Sequence, residues 1–274
     1  MLPTLVIFFR ESLEASLIVA ILLAYVHRLG RADAARAVWL GVAGALGVDL
    51  AVGLASFHVI QSYDGSRVQT ILEGITYLVA TVLLTGMSFW MKEQSRDLRR
   101  ELEARVDAAL GRGSRWALGL LAAVTVGREG LETVFFTLAI AFTASRWGLA
   151  AGAALGLAAG LAVCYAIYRL GRRVPLGAFF QVLGVLLLLF AAGLLADGIQ
   201  DLQALGWLPL LTAVVWRTHR FLRQDSLLGD LLHSFFGYAE APTVLQLGAY
   251  VAFLAATVAA YVRPLRPTRR GGRG

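Results

Sequence analysis

The 274-residue sequence predicts an all-α, polytopic membrane protein with seven transmembrane helices. Three observations carry this. Hydrophobic residues make up 58% of the chain and the mean hydropathy is +0.69. Only 16% of residues are charged, where a soluble domain carries about 25%. The positive charges fall on alternate connections between long apolar stretches. This balance excludes a disordered chain, a disulfide scaffold and a coiled coil. The single cysteine, Cys164, excludes an intrachain disulfide and a thiolate-rich soft-metal site.

Crossing a bilayer takes about 20 apolar residues. Stretches near 4–26, 37–58, 70–91, 116–141, 148–169, 176–197 and 244–262 meet that length. The first contains Arg10, Glu11 and Glu14, which the apolar core of a cleavable signal peptide would not tolerate. The second holds Asp49 among Gly41, Gly44, Gly47 and Gly53. The third begins near Glu73, which either complements a helix N-terminus or draws cations in at the mouth of a path. A run of alternating charge over 92–115 suits a solvated connecting helix, with Glu101 and Arg105 spaced i,i+4. The fourth stretch contains Arg128, Glu129 and Glu132. The fifth carries Gly152, Gly156 and Gly160, a face for close helix packing. Between the sixth and seventh, about 198–243 reads as an outer segment of turns and short amphipathic helices, with Trp207 and Trp216 at headgroup level. Asp197, Asp201 and Glu240 lie on this side, as a vestibule or as solvated surface. His27 and His58, near span ends, read as interfacial. A basic tail occupies 263–274.

Eighteen of the 25 basic residues lie in the connections after the first, third and fifth stretches and in the tail. The positive-inside rule makes those segments cytoplasmic, so the N-terminus is expected outside and the C-terminus in the cytoplasm. The net charge of +7 is thus a topology signal, and nucleic acid is not expected as a partner.

Arg10-Glu11-Ser12-Leu13-Glu14 in the first helix returns as Arg128-Glu129-Gly130-Leu131-Glu132 in the fourth, 118 residues later. The second copy lies three helices on from the first, with two helices between, so it enters from the opposite side. That spacing predicts a 3+3 inverted repeat plus one helix, with repeat one about 1–91, repeat two about 116–197, and a site near the midplane. The whole chain reads as one transmembrane domain. Residues i and i+3 share a helix face, so each motif offers two carboxylates, and its Arg lies i,i+4 from the second of them. Two facing motifs give four carboxylates and two guanidiniums, net −2, which suits a multivalent cation.

A charge at a helix centre costs about 2.5–3.5 kcal/mol to insert, so these groups are not incidental. An ionic staple between the helices would need one acid per base, and each copy has a surplus acid. Glu11, Glu14, Glu129 and Glu132 are the candidate metal ligands, Arg10 and Arg128 the charge-balancing groups, and Glu73, Asp49 and Glu240 the candidate accessory acids. Carboxylates, the hydroxyls of Ser12, Ser16, Thr125 and Thr133, and backbone carbonyls are the donors nearby. They suit hard cations such as Fe³⁺, Mn²⁺, Mg²⁺ and Ca²⁺, and the chemistry alone does not choose among them.

The two motifs resemble the hallmark of the oxidase-dependent iron permease family, which has bacterial and fungal branches. LEGITYLVATVLLTGMSFWMK (72–92), REGLETVFF (128–136), LGAFF (176–180), FAAGLLADGI (190–199) and FGYAEAPTV (236–244) also resemble it. The departure is Ser12 where the family usually has Gly, and it leaves every charged position intact. The resemblance implies a permease, not an enzyme, that imports iron as Fe³⁺ or Fe²⁺ across the inner or plasma membrane. It places the two Arg-Glu-x-x-Glu motifs in the ion path and implies no permanently bound cofactor. It also implies partners that handle iron redox: a periplasmic or surface cupredoxin-type iron-binding protein and a haem peroxidase, or an oxidase. The alternatives are a permease for manganese or lead, a proton-coupled carrier of a small organic cation, and an intramembrane glutamate-dependent hydrolase. Valence, coupling and oligomeric state, including a homo-oligomer, are left open by the sequence.

Overall fold

The computed structural model describes residues 1–28, 30, 32–63, 65–94, 104, 106, 108, 115–142, 145–170, 176–219, 221–224 and 226–263. Most of the charged connection 92–115 and the tail beyond Arg263 lie outside the described residues. The helices with described bounds are α1 (Leu2–Arg28), α2 (Ala32–Gln61), α3 (Arg67–Gln94), α4 (Arg115–Ala141), α5 (Arg146–Leu170), α6 (Leu176–Ala204), α7 (Leu227–Phe236) and α8 (Val244–Val262). Each of the seven apolar stretches falls inside one of them. Among the described residues the β-structure is a single bridge, Val214 with Thr243.

Five helical segments are both long and apolar enough to cross a membrane: Ala34–Ile60, Arg67–Trp90, Arg146–Ile167, Gln181–Ala204 and Val244–Val262. The two long helices outside that set, α1 and α4, are the ones carrying the motifs. Each has 27 residues, about 40 Å at 1.5 Å per residue, so length is not what sets them apart. Their charges do.

Helices pair most extensively as α2 on α4, α1 on α5 and α3 on α6. Glycines allow the first two to approach closely. A Cβ on Gly41 would strike the backbone of Gly119 in α4. A Cβ on Gly152, Gly156 or Gly160 would strike α1 near Met1–Leu5, Leu5–Phe9 or Phe9–Leu13. The small-residue face of α5 therefore holds the first motif helix along three turns. The core forms two clusters. One joins α1, α3, α4, α5 and α6 through Ile7, Leu13, Leu84, Phe136, Cys164 and Leu187. The other joins the C-terminal half of α1 to α2 and α4 through Leu22, Val38, Leu118 and Val126. Large apolar side chains such as Leu46, Leu50, Leu54, Leu120, Val124 and Val251 are exposed, as a surface solvated by lipid requires.

The sixth helix is longer than its apolar stretch predicts. It runs to Ala204 and so carries Asp197 and Asp201, which the sequence places at or beyond its end. Hydropathy marks where lipid ends, whereas a helix continues until a turn stops it; here Gly206, at φ 75°, follows. The segment after it returns through α7, capped by Ser226 and by Gly237 at φ 61°. The Gln246 side chain of α8 donates to Ala196 O at 3.2 Å and to Gln200 Oε1 at 3.0 Å, fixing α8 against the end of α6.

Candidate cation-binding centre

Glu14 and Glu129 each sit one residue, about 1.5 Å, from the midpoint of their helix. The chain thus places both motifs at the same depth, where α1 contacts α4. Glu11, Glu14 and Glu129 are buried, and each offers a carboxylate oxygen within 4.8 Å of the others'. Oxygens bound to one metal ion at 2.0–2.6 Å stand at most about 5.2 Å apart. The three can therefore share an ion with little movement.

The two motifs are not equivalent. In α1, Arg10 is 1% exposed; its Nη1 donates to Glu11 Oε1 at 2.7 Å, and Nη2 is 3.9 Å from Glu14 Oε2. In α4, Arg128 is half exposed, and its Nε donates to Glu132 Oε1 at 2.9 Å. The i,i+4 pairing expected in both copies is close in the second and loose in the first. As a result, three of the four candidate carboxylates converge, while Glu132 faces Arg128. Glu132 stays within electrostatic range of Glu11 and Glu14. Arg128 also stacks over the Trp90 ring of α3, 4.5 Å from its centroid. Trp90 was not singled out from the sequence, where an aromatic residue near a span end signals only an interface.

Charge and hydrogen bonding point to a cation. Glu11 Oε2, Glu14 Oε2, Glu129 Oε2 and Glu132 Oε2 are buried and accept no hydrogen bond among the described residues. Two guanidiniums balance half of the charge of four ionised carboxylates. Buried acceptors left in this state are costly unless a positive group joins them. The nearby hydroxyls spend their protons on the helix backbone. Ser16 donates to Ser12 O at 2.5 Å, Thr125 to Leu121 O at 2.7 Å, Thr133 to Glu129 O at 2.8 Å, and Ser12 to Phe9 O at 3.1 Å. Their oxygen lone pairs remain, so the donor set near the cluster is all oxygen.

The accessory candidates separate. Asp49 is buried at the α2–α4 contact, where its carboxyl occupies the place that a Cβ on Gly130 would take. It packs on the motif helix but is not one of the three converging acids. Ser12 and Gly160 make the matching contact between α1 and α5. Glu73 accepts from Gln69 Nε2 at 2.7 Å on α3. Glu240 is tied into the outer segment: it pairs with His219 and accepts from Gln224 N at 3.2 Å. His27 and His58 sit near their helix ends, and His27 bonds Leu23 O at 2.7 Å.

The chain is 37% identical over 264 residues to the ferrous iron permease EfeU of Yersinia pestis, covering 96% of this chain and 93% of that one. It is 36% identical over 262 residues to the protein of that name from Escherichia coli O6:K15:H31, and 35% identical over 262 residues to that from Shigella sonnei, at 95% of each chain. No solved structure matches significantly. The model of the iron permease FTR1 family matches residues 1–265, and with relatives this similar along the whole length, the chain belongs to that family of permeases.

Proposed function

We propose that the chain imports iron across the inner or plasma membrane through its paired Arg-Glu-x-x-Glu motifs. The observation that carries this is the convergence of Glu11, Glu14 and Glu129 at mid-helix depth, in a member of a family of iron permeases. Iron sheds water as these carboxylates replace it. Glu132 shares the load by exchanging Arg128 for the ion, and Arg10 and Arg128 balance the acids between transport events.

In this reading α1–α6 and α8 are seven spans, with the N-terminus outside and the C-terminus cytoplasmic. The packing supports an inverted repeat. A two-fold operation that exchanges α1 with α4 and α2 with α5 turns the α1–α5 pair into the α4–α2 pair and returns α3–α6 to itself. Those are the three most extensive helix contacts. The Ser12–Gly160 and Gly130–Asp49 contacts exchange in the same way. A cupredoxin-type iron-binding protein and a haem peroxidase or oxidase would supply iron from outside, as the family resemblance implies.

The test is uptake of radioactive iron by purified protein in liposomes. Wild type accumulates iron, and Glu14→Ala or Glu132→Ala abolishes uptake at equal incorporation. Uptake unchanged by both overturns the reading. An all-oxygen donor set also accepts manganese or lead, and competition by each in the same vesicles identifies the ion carried.

A further inference from the structure

A second group of acids gathers away from the motifs. Gly74 on α3 faces Asp201 on α6: a Cβ there would lie 3.1 Å from Asp201 Cβ and 3.7 Å from its Oδ2. Gly198 on α6 faces Leu78 and Gly74 O in turn, at 3.1 and 3.4 Å. With no side chain at either position the helices close up. Glu73 and Tyr77, i,i+4 on α3, then meet Asp197 and Asp201, i,i+4 on α6.

Tyr77 is 3% exposed, its hydroxyl has no hydrogen-bond partner among the described residues, and Asp197, Glu73 and Asp201 all lie within electrostatic range of it. Asp201 Oδ2 is buried and accepts no hydrogen bond among the described residues. His233 of α7 adds a nitrogen. Its Nδ1 is 2.8 Å from Tyr238 O, and a carbonyl can only accept, so Nδ1 carries the proton. In the neutral ring Nε2 then presents a lone pair to Asp197 Oδ2 across 3.7 Å. A cavity of about 20 Å³, room for a water-sized group, adjoins Asp197 and His233, with Pro3 of α1 and Ile140 of α4 on its wall. Asp197 and His233 therefore border a cavity that reaches both motif helices.

We propose that Glu73, Asp197 and Asp201, with the Tyr77 hydroxyl and His233 Nε2, form a second cation site that holds a divalent metal ion with part of its water before the ion reaches the motif carboxylates. These acids are not within 4.8 Å of one another as Glu11, Glu14 and Glu129 are, so they reach the ion through its water rather than stripping it. Such a site binds more weakly than the motif cluster and is more sensitive to salt. Its place as a waiting position rests on the permease reading above; its existence does not.

Equilibrium dialysis of the full-length protein in lipid nanodiscs against radioactive Fe²⁺, without oxygen, tests it. Wild type binds two equivalents, and the weaker is lost when salt is raised. Asp197→Asn with Asp201→Asn removes the weaker equivalent and keeps the tighter. Glu14→Gln with Glu129→Gln does the reverse. Should the double aspartate variant fail to fold, Tyr77→Phe, which only removes the hydroxyl, weakens the second equivalent roughly tenfold. One equivalent in wild type, or two unchanged in the aspartate and tyrosine variants, overturns the site. A tight equivalent that survives Glu14→Gln with Glu129→Gln overturns the motif reading instead and leaves this one standing.

Discussion

The two motif arginines predict unequal consequences on substitution. Arg10 is fully enclosed, with Nη1 on Glu11 Oε1 at 2.7 Å. Arg10→Gln strands a buried carboxylate, and removing one partner of a buried pair costs about 3–5 kcal/mol. Arg128 is 48% exposed. Its bond to Glu132 at 2.9 Å is that of a partly exposed pair, about 0.2–1 kcal/mol, and its stack on Trp90 adds about 0.5–1 kcal/mol. Arg10→Gln should therefore exceed Arg128→Gln by about 2–3 kcal/mol, roughly 30- to 150-fold in the unfolding constant. Reversible unfolding by SDS in mixed micelles, followed by tryptophan fluorescence, measures both. Equal losses, or a larger loss for Arg128→Gln, would refute the asymmetry between the motifs.

Other substitutions probe the scaffold. Gly130→Ala places a methyl where the Asp49 carboxyl sits and costs about 1–3 kcal/mol; Asp49→Ala in the same chain restores the space, so a double-mutant cycle should show strong coupling. Gly156→Val drives a side chain into the α1 backbone and should abolish the monodisperse fraction on gel filtration. Gly86→Val, which meets nothing within 4 Å, should not.

The motif geometry was legible because helix periodicity is rigid. The i,i+3 spacing puts Glu11 beside Glu14 whatever the tertiary structure. The choice each arginine makes was not legible, since it depends on a neighbour from another helix: Trp90 lies beneath Arg128. The glycines of α5 announced a close contact, but only the fold shows that α1 makes it. Asp49 stood out as a charge in an apolar run, and its place against Gly130 follows from α2 packing on α4. The end of α6 was misplaced because Asp197 and Asp201 interrupt hydropathy without interrupting the helix. That error hid their contact with α3.

The central claim is that carboxylates from both motifs hold one ion. Crystals of the protein soaked in iron and measured at the iron absorption edge locate that ion directly. An anomalous peak is expected between Glu11, Glu14 and Glu129, lost in Glu129→Gln. A motif region without a peak, in crystals where iron is bound elsewhere in the protein, would contradict it.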